Sequence, residues 1–332
     1  MRRLFAVIVL VGLLAGAGWA WWAFAWPSGP RSETFVEIPS GTTTREIAAQ
    51  LQRSGIISSA GAFEALHLLG GTLKAGEYRF AHAATVTAVY RRIARGDVFT
   101  VAVTIPEGAN IFDIASRLEA AGLGPRANFL AAAKANTALV AKIDPRAASL
   151  EGYLFPSTYR FGRRTAPAEV LRTMVRQFAV EAAALDLTGD VHRTVTLASL
   201  VERETPIAAE RPLVASVFEN RLAKGMPLET DPTVIYAALL RGQYRGSIYQ
   251  SDLQFDSPFN TYRHAGLPPG PICNPGAVSL RAAMHPAHTD YLYFVAAGAD
   301  PLGQSRFATT LEQHQRNVAA YRAAVRAGVQ PH

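Results

Sequence analysis

Hydrophobic and polar positions divide the chain into regions of different character. From Leu4 to Trp26 no residue is charged. These 23 apolar or small residues can cross ~30 Å of hydrocarbon as a helix. After Arg31 the pattern breaks into short apolar runs, turn residues and helical spacings. One arrangement occurs twice, offset by 67 residues: VEIPSGTTTREIAAQLQRSGI from Val36 and VTIPEGANIFDIASRLEAAGL from Val103. Each copy predicts a strand, a Pro-Gly turn and an amphipathic helix that ends at glycine. In the first copy Thr43 and Glu46 have the spacing of a capping box.

Between the copies the pattern predicts a second helix from Ser59, a strand over Glu77 to Phe80, a helix over Thr87 to Arg95 and an apolar run from Val98 to Ile105. Residues 34–82 therefore read strand, helix, helix, strand. Residues 107–190 are mostly helical, interrupted by EGYLFPSTYRF from Glu151 to Phe161, whose proline and aromatic residues favour loop or strand. Farther on, TYRHAGLPPGPICNPG from Thr261 is a long Pro/Gly loop, and YLYFVA from Tyr291 is an apolar strand. Strands and helices do not alternate as repeated βαβ units, so the expected class is α+β.

The flanks of the first apolar stretch give it a direction. Arg2 and Arg3 precede it, which places the N-terminus in the cytoplasm and the remainder outside. All four tryptophans, Trp19, Trp21, Trp22 and Trp26, gather at its exit end, as in an interfacial aromatic belt. The competing reading is a cleaved signal peptide, for which Ala23-Phe24-Ala25 is a weak match. The stretch is long for a signal and its tryptophans crowd the cleavage position, so a retained anchor is expected, followed by a linker at Pro27 to Pro30.

Composition narrows the chemistry. The net charge of +7 is carried almost entirely by arginine, with lysine only at positions 74, 134, 142 and 224. No basic run interleaved with aromatics is present, so nucleic acid is not an expected partner. Cys273 is the only cysteine, which excludes an internal disulfide and a cysteine-based metal site. His285 and His288 are separated by Pro286, and no H-E-x-x-H pattern accompanies them, so no metal is expected. A nucleophile elbow, a P-loop and a dinucleotide fingerprint are also absent.

Within TVTLASLVERET, Leu197, Leu200, Val201 and Glu204 fall on one helical face. Glu202 lies about 200° around the helix, so only one of the two glutamates is expected on the apolar face. A carboxyl beside apolar surface loses hydration and its pKa rises, as a general acid near neutrality requires. The same position also suits a solvated glutamate paired with Arg203 or Arg211. Asp231 is expected to cap a helix that begins at Pro232, and Asn220 and Arg221 to face either a cleft or solvent.

LASLVERET, VASVFENRLAKGMPLETDPTVIYA, FNTYRHAGLPPGPICNPG and HPAHTDYLYFVA, with EGYLFPSTY upstream, resemble in order the core of the MltG/YceG-like endolytic murein (peptidoglycan) transglycosylases. The resemblance runs from about Val36 to the C-terminus. It implies a transmembrane anchor and linker over 1–30, a LysM-like βααβ subdomain over 31–105 and a mixed α/β catalytic domain over 106–332. Its catalytic glutamate is the second in the E-[KR]-E-T motif, here Glu204.

The implied reaction cuts the β-1,4 bond between N-acetylmuramic acid and N-acetylglucosamine in nascent glycan strands and leaves 1,6-anhydro ends. One carboxyl performs both proton transfers, and no cofactor is required. Asn260, Tyr262, Asn274, Glu151 and Ser199 are the implied sugar contacts. Glycan strands, the lipid bilayer and peptidoglycan synthases are the implied partners, at the outer face of the plasma membrane. Two alternatives stay open. One is a non-enzymatic peptidoglycan-binding scaffold. The other is a hydrolase of the same bond with a second carboxylate such as Glu202 or Glu210.

Overall fold

The computed structural model describes residues 2–298, 300 and 303–328. It has mixed α/β architecture and divides into two compact units, Met1–Val101 and Ala102–His332.

The first unit begins with α1 (Arg2–Ala25), followed by β1 (Thr34–Ile38), α2 (Thr44–Arg53), α3 (Ala60–Leu68), β2 (Gly76–Phe80) and α4 (Val86–Arg95). The two strands pair antiparallel, with Thr34 opposite Phe80 and Ile38 opposite Gly76. Their inward residues Val36, Ile38, Tyr78 and Phe80 join Leu51 and Phe63 of the helices in one buried core. The expected capping box exists: Thr43 accepts from the Glu46 amide at 3.3 Å, and Glu46 accepts from the Thr43 amide at 2.9 Å.

Along most of its length α1 is bare. Leu4, Phe5, Ile8, Leu13 and Leu14 are each 61–71% exposed. Val7–Ala25 is apolar enough to cross a membrane, with mean hydropathy 1.9. Its last turn differs, because Ala23 is fully buried in the core of the unit and Phe24 packs beside it. The following segment is not a free linker. The Ser28 amide donates to the Ala84 carbonyl at 3.0 Å, and the Ala84 amide donates back at 2.8 Å. A Cβ on Gly29 would lie 2.6 Å from the Ala83 Cα, so only glycine permits this approach.

The second unit carries β3 (Val101–Thr104), α5 (Ile111–Ala120), α6 (Arg126–Ala135), β4 (Thr158–Phe161), α7 (Pro167–Ala184), α8 (Val191–Glu204), α9 (Arg211–Ala223) and α10 (Asp231–Leu240). A short helix α11 (Gln250–Leu253), then α12 (Ala277–Met284), β5 (Tyr293–Ala296), β6 (Ser305–Ala308) and α13 (Leu311–Gly328) complete it. β3 pairs with β4, and β5 pairs antiparallel with β6. The sequence repeat is also a structural repeat. Asn110 and Asp113 of α5 form a capping box at the positions equivalent to Thr43 and Glu46. The turn glycines Gly41 and Gly108 and the helix-ending glycines Gly55 and Gly122 all have positive φ.

α8 runs through the centre of this unit, against α12, α9 and α10. Every residue from Val195 to Val201 is buried. The helical spacing anticipated one apolar stripe, whereas neighbours cover the helix on all sides.

Three segments meet at Asn274. Its Oδ1 accepts from the Leu154 amide at 2.8 Å, and its Nδ2 donates to the Ala109 carbonyl at 2.9 Å and to Glu151 Oε1 at 2.8 Å. Its backbone adds two bonds to the same turn, since the Gly108 amide donates to the Asn274 carbonyl and the Asn274 amide to the Ala109 carbonyl, each at 3.0 Å. Gly152 lets the loop pass, with φ of 90° and Pro271 2.5 Å from where its Cβ would stand. Replacing Asn274 by alanine strands a buried amide, a carbonyl bond and a carboxyl oxygen. Each such loss costs ~1–3 kcal/mol, so Asn274→Ala is expected to destabilise the protein by about 3 kcal/mol or more. Thermal melting of the full chain in a neutral detergent checks this, and a melting temperature within a degree of the parent contradicts it.

Candidate functional site

A cleft of about 370 Å3 in the second unit is lined by Glu204, Arg221, Glu229, Asp231, Tyr262 and His314 among others. Glu204 is the last residue of α8. There the helix ends on an extended Thr205, and the half-buried carboxyl reaches the cleft. Thr230 donates a short hydrogen bond to Glu204 Oε1. Burial pushes the carboxyl up to about 7, and the neighbouring Asp231 charge adds to the rise. The Thr230 bond and the Arg203 and Arg221 charges oppose it.

The opposite wall is a turn interlocked with a loop. Glu229 has a φ of 52°, unusual for a residue with a side chain. The Thr261 carbonyl accepts the Glu229 amide at 3.2 Å, and the Thr261 hydroxyl accepts the Thr230 amide at 3.1 Å. Thr233 donates to the Thr230 carbonyl at 2.6 Å and is 2.9 Å from the Thr261 hydroxyl. These bonds hold the left-handed residue in place and aim Thr230 and Asp231 at Glu204. Asp231 is the first helical residue of α10 and Thr230 precedes it without a side-chain capping bond, so Asp231 does not cap the helix as expected. Freed from capping, the Asp231 carboxylate accepts the Tyr262 hydroxyl at 2.7 Å.

Tyr262 is therefore brought to Glu204, and the other expected sugar contacts are not. Asn260, Asn274 and Ser199 have 0% exposure and Glu151 has 1%. Asn260 holds the loop that presents Tyr262. It donates to the Leu253 and Phe255 carbonyls at 3.1 and 2.7 Å and accepts the Tyr262 amide at 3.0 Å. Ser199 donates to the Thr196 carbonyl at 2.7 Å and accepts the Ile272 amide at 3.1 Å. Glu151 accepts the Ile111 amide at 3.0 Å as well as the Asn274 bond, and burial pushes its carboxyl up to about 8. All four brace the walls, because polar groups with no exposed surface have spent their bonds on the backbone.

Glu202 is also withdrawn from water, contrary to the expectation that only one glutamate is. It meets Arg211 at 2.8 Å, with side chains 4% and 7% exposed, and accepts the Gly276 amide at 2.9 Å. Glu210 accepts the Ser305 amide and hydroxyl at 2.7 and 2.8 Å. Neither carboxylate is among the residues that line the cleft with Glu204. Asn220 ties α9 to the Thr289 and Tyr291 carbonyls at 2.7 and 3.0 Å.

Asp231 and His314 escaped the sequence reading in this role, and Arg221, expected to face either a cleft or solvent, lines the cleft. Arg221 donates to the Leu292 carbonyl at 2.7 Å and to those of Pro227 and Leu228 at 3.1 and 3.0 Å. This fixes a cation at the cleft wall. Asp231 was legible only as a helix-start signal. His314, on α13, stacks on Tyr293 with ring centroids 5.1 Å apart, and its buried Nδ1 has no hydrogen-bond partner. Nothing in the local pattern of α13 distinguishes it.

The raised Glu204 carboxyl carries a stability signature. Between an unfolded value near 4.5 and a folded value of about 7, the folded protein holds more protons than the unfolded chain. Stability is therefore lost as pH rises through this window. Glu204→Gln removes the charge, so its gain in melting temperature over the parent is expected to be larger at pH 8 than at pH 5. Equal differences at both pH values contradict the raised carboxyl.

Comparison with known proteins places this geometry in a family. The pattern of the YceG-like family matches residues 36–320. An endolytic murein transglycosylase of Bacillus subtilis (strain 168) is 35% identical over 303 residues, covering 85% of this chain and 82% of that protein. One from Streptococcus pneumoniae (strain ATCC BAA-255 / R6) is 29% identical, covering 95% of this chain and 64% of the longer relative. A crystal structure of a yceG-like protein from Listeria monocytogenes superposes with a TM-score of 0.57 at 33% identity, covering 86% of this chain and 99% of that one. With the match spanning both units and all the cleft residues, the chain belongs to the YceG-like family.

Proposed function

We propose that this chain is an endolytic lytic transglycosylase that cuts the β-1,4 bond between N-acetylmuramic acid and N-acetylglucosamine in peptidoglycan glycan strands, with Glu204 as its single acid/base. The observation that carries the reading is a carboxyl at the wall of a cleft, held near pKa 7, in a chain whose relatives are endolytic murein transglycosylases.

In the first step Glu204 gives its proton to the glycosidic oxygen as the bond to the muramic acid anomeric carbon breaks. A carboxyl near neutrality is suited to this transfer. Positive charge gathers on the anomeric carbon, and the Asp231 carboxylate supplies the compensating negative field. In the second step the C6 hydroxyl oxygen of the same sugar attacks the anomeric carbon and its proton passes to Glu204. The acid is restored, no water is consumed, and the new end is 1,6-anhydromuramic acid. Thr230 occupies Glu204 Oε1 and so leaves Oε2 for the moving proton.

The strand–helix–helix–strand of β1, α2, α3 and β2 supports a LysM-like subdomain over 31–105 that holds the glycan. The bare apolar face of α1 supports a retained anchor with the catalytic domain outside, beside peptidoglycan synthases. A hydrolase remains the second reading, because Asp231 is another carboxylate in the cleft. Its bond to Tyr262 favours an electrostatic role over activation of water.

The test is digestion of uncross-linked glycan strands by the full chain in detergent, read by mass spectrometry in labelled water. Ends lighter by one water are expected, falling at least ~100-fold with Glu204→Gln. Ends carrying label would establish the hydrolase, and no cleavage by the parent would favour a binding scaffold. The rate is expected to fall as pH rises past about 7, when Glu204 loses its proton. Asp231→Asn removes a charge that holds this proton on, so the alkaline limb should move to lower pH. A limb that stays in place in this variant contradicts the coupling.

A further inference from the structure

A second charged concavity lies in the first unit. It measures about 470 Å3 and is lined by Arg79, Arg92 and Arg95 with His82, Ala83 and Ala84. Its one lining acid, Asp97, takes one edge of Arg95 at 2.9 and 3.2 Å. Arg79 also meets Glu33 at 3.4 Å, with both side chains half exposed. Two of the guanidiniums are set on aromatic rings: Arg92 lies 5.2 Å from the Phe80 centroid and Arg79 lies 5.3 Å from that of Phe99. Such stacking fixes the plane of the fork and leaves its donors at the edge, the geometry in which arginine takes phosphate.

The groove also has a defined height. Its wall at Ala84 pairs with Ser28, two residues beyond Trp26. Two extended residues span at most ~7 Å, and one strand spacing adds ~5 Å. The wall therefore stands within roughly 12 Å of the aromatic exit of α1, within side-chain reach of the lipid headgroups, which extend ~5–7 Å beyond the hydrocarbon. The bonds of Ser28 and the close packing of Gly29 on Ala83 keep it there.

We propose that this arginine groove binds the phosphate of a membrane lipid headgroup at the outer face of the bilayer and so sets the stance of the first unit on the membrane. The proposal rests on α1 being a retained anchor. Attraction of anionic headgroups to arginines near the surface makes each guanidinium count, whereas the Glu204 cleft uses none of these residues.

The experiment uses the full chain in neutral maltoside micelles. Dihexanoyl phosphatidylglycerol, dihexanoyl phosphatidylcholine and water-soluble glycerol phosphate are titrated separately and bound molecules counted by native mass spectrometry. Preferential binding of phosphatidylglycerol is expected, weakened about tenfold by the double variant Arg92→Gln with Arg95→Gln and restored only in part by lysine, which keeps the charge without the fork, at the same positions. Arg45→Gln with Arg53→Gln, on α2, is the charge control and should change nothing. Melting temperatures of all variants establish that they are folded. Equal binding of phosphatidylcholine, an unchanged affinity in the double variant, or an equal loss in the α2 control overturns the site. Equally tight binding of glycerol phosphate makes it a free-anion site and overturns the lipid assignment. Alkaline extraction of membranes separates the two readings. A chain released by alkali refutes the anchor and the site with it, while an embedded chain that does not discriminate the lipids refutes the site alone.

Discussion

The second unit depends on one buried amide. Asn274 has one acceptor and two donors on its side chain, and all are committed: one to the turn at Ala109 and two to a single loop, at the Leu154 amide and the Glu151 carboxyl. No apolar side chain can join irregular backbone segments in this way, because buried amides and carbonyls must be paired. The cleft inherits this constraint. Glu202 fixes the Gly276 amide next along the same loop, Ser199 fixes Ile272, and both stand on α8, whose last residue is Glu204. The long Pro/Gly loop is irregular in backbone and fixed in position for the same reason.

Much of the architecture was legible because it is local. Caps, turn glycines and apolar periods act within a few residues, so β1, α2, α3, β2 and α4 fall close to where their patterns place them. The repeat extended this legibility from one unit to the other, down to the equivalent capping pairs. The helical face of α8 was read only in part. Periodicity reports which residues avoid water, but it cannot count how many neighbours a helix has, and α8 has them on every side.

The site was legible to a different depth. Sequence motifs point to Glu204 and to Tyr262, and both line the cleft. They do not distinguish a polar residue facing substrate from one bracing the wall, and Asn260, Asn274, Ser199 and Glu151 all brace it. Asp231 shows the converse. Its neighbours Thr230 and Pro232 are a helix-start signal, and that local meaning concealed a carboxylate in the cleft. The distinction rests on long-range bonds, such as Tyr262 to Asp231 across 31 positions, which no local pattern encodes. The segment at Pro27 to Pro30 is a similar case. Proline and glycine announce a loop, and only the pairing of Ser28 with Ala84 shows it to be docked.

Glu202 and Glu204 sit two residues apart at one helix end, and the fold gives them opposite chemistry. Burial raises both carboxyls. For Glu202 the penalty is met by a guanidinium at 2.8 Å and a backbone amide, so its negative charge is what the surroundings bind. Glu204 receives a hydroxyl bond from Thr230 and faces the negative field of Asp231, and the charges of Arg203 and Arg221 act on it less strongly than that of Asp231. Arg221 is occupied by three backbone carbonyls and Arg203 reaches toward the Gly108 carbonyl at 3.3 Å. A nearby anion favours the protonated form, whereas a direct ion pair favours the charged one, and the Thr230 bond only partly offsets the burial of Glu204. The difference between a strut and the acid we propose thus lies in which cations are diverted to backbone carbonyls, and the arginines around the cleft bear on the protonation of Glu204 together with its burial.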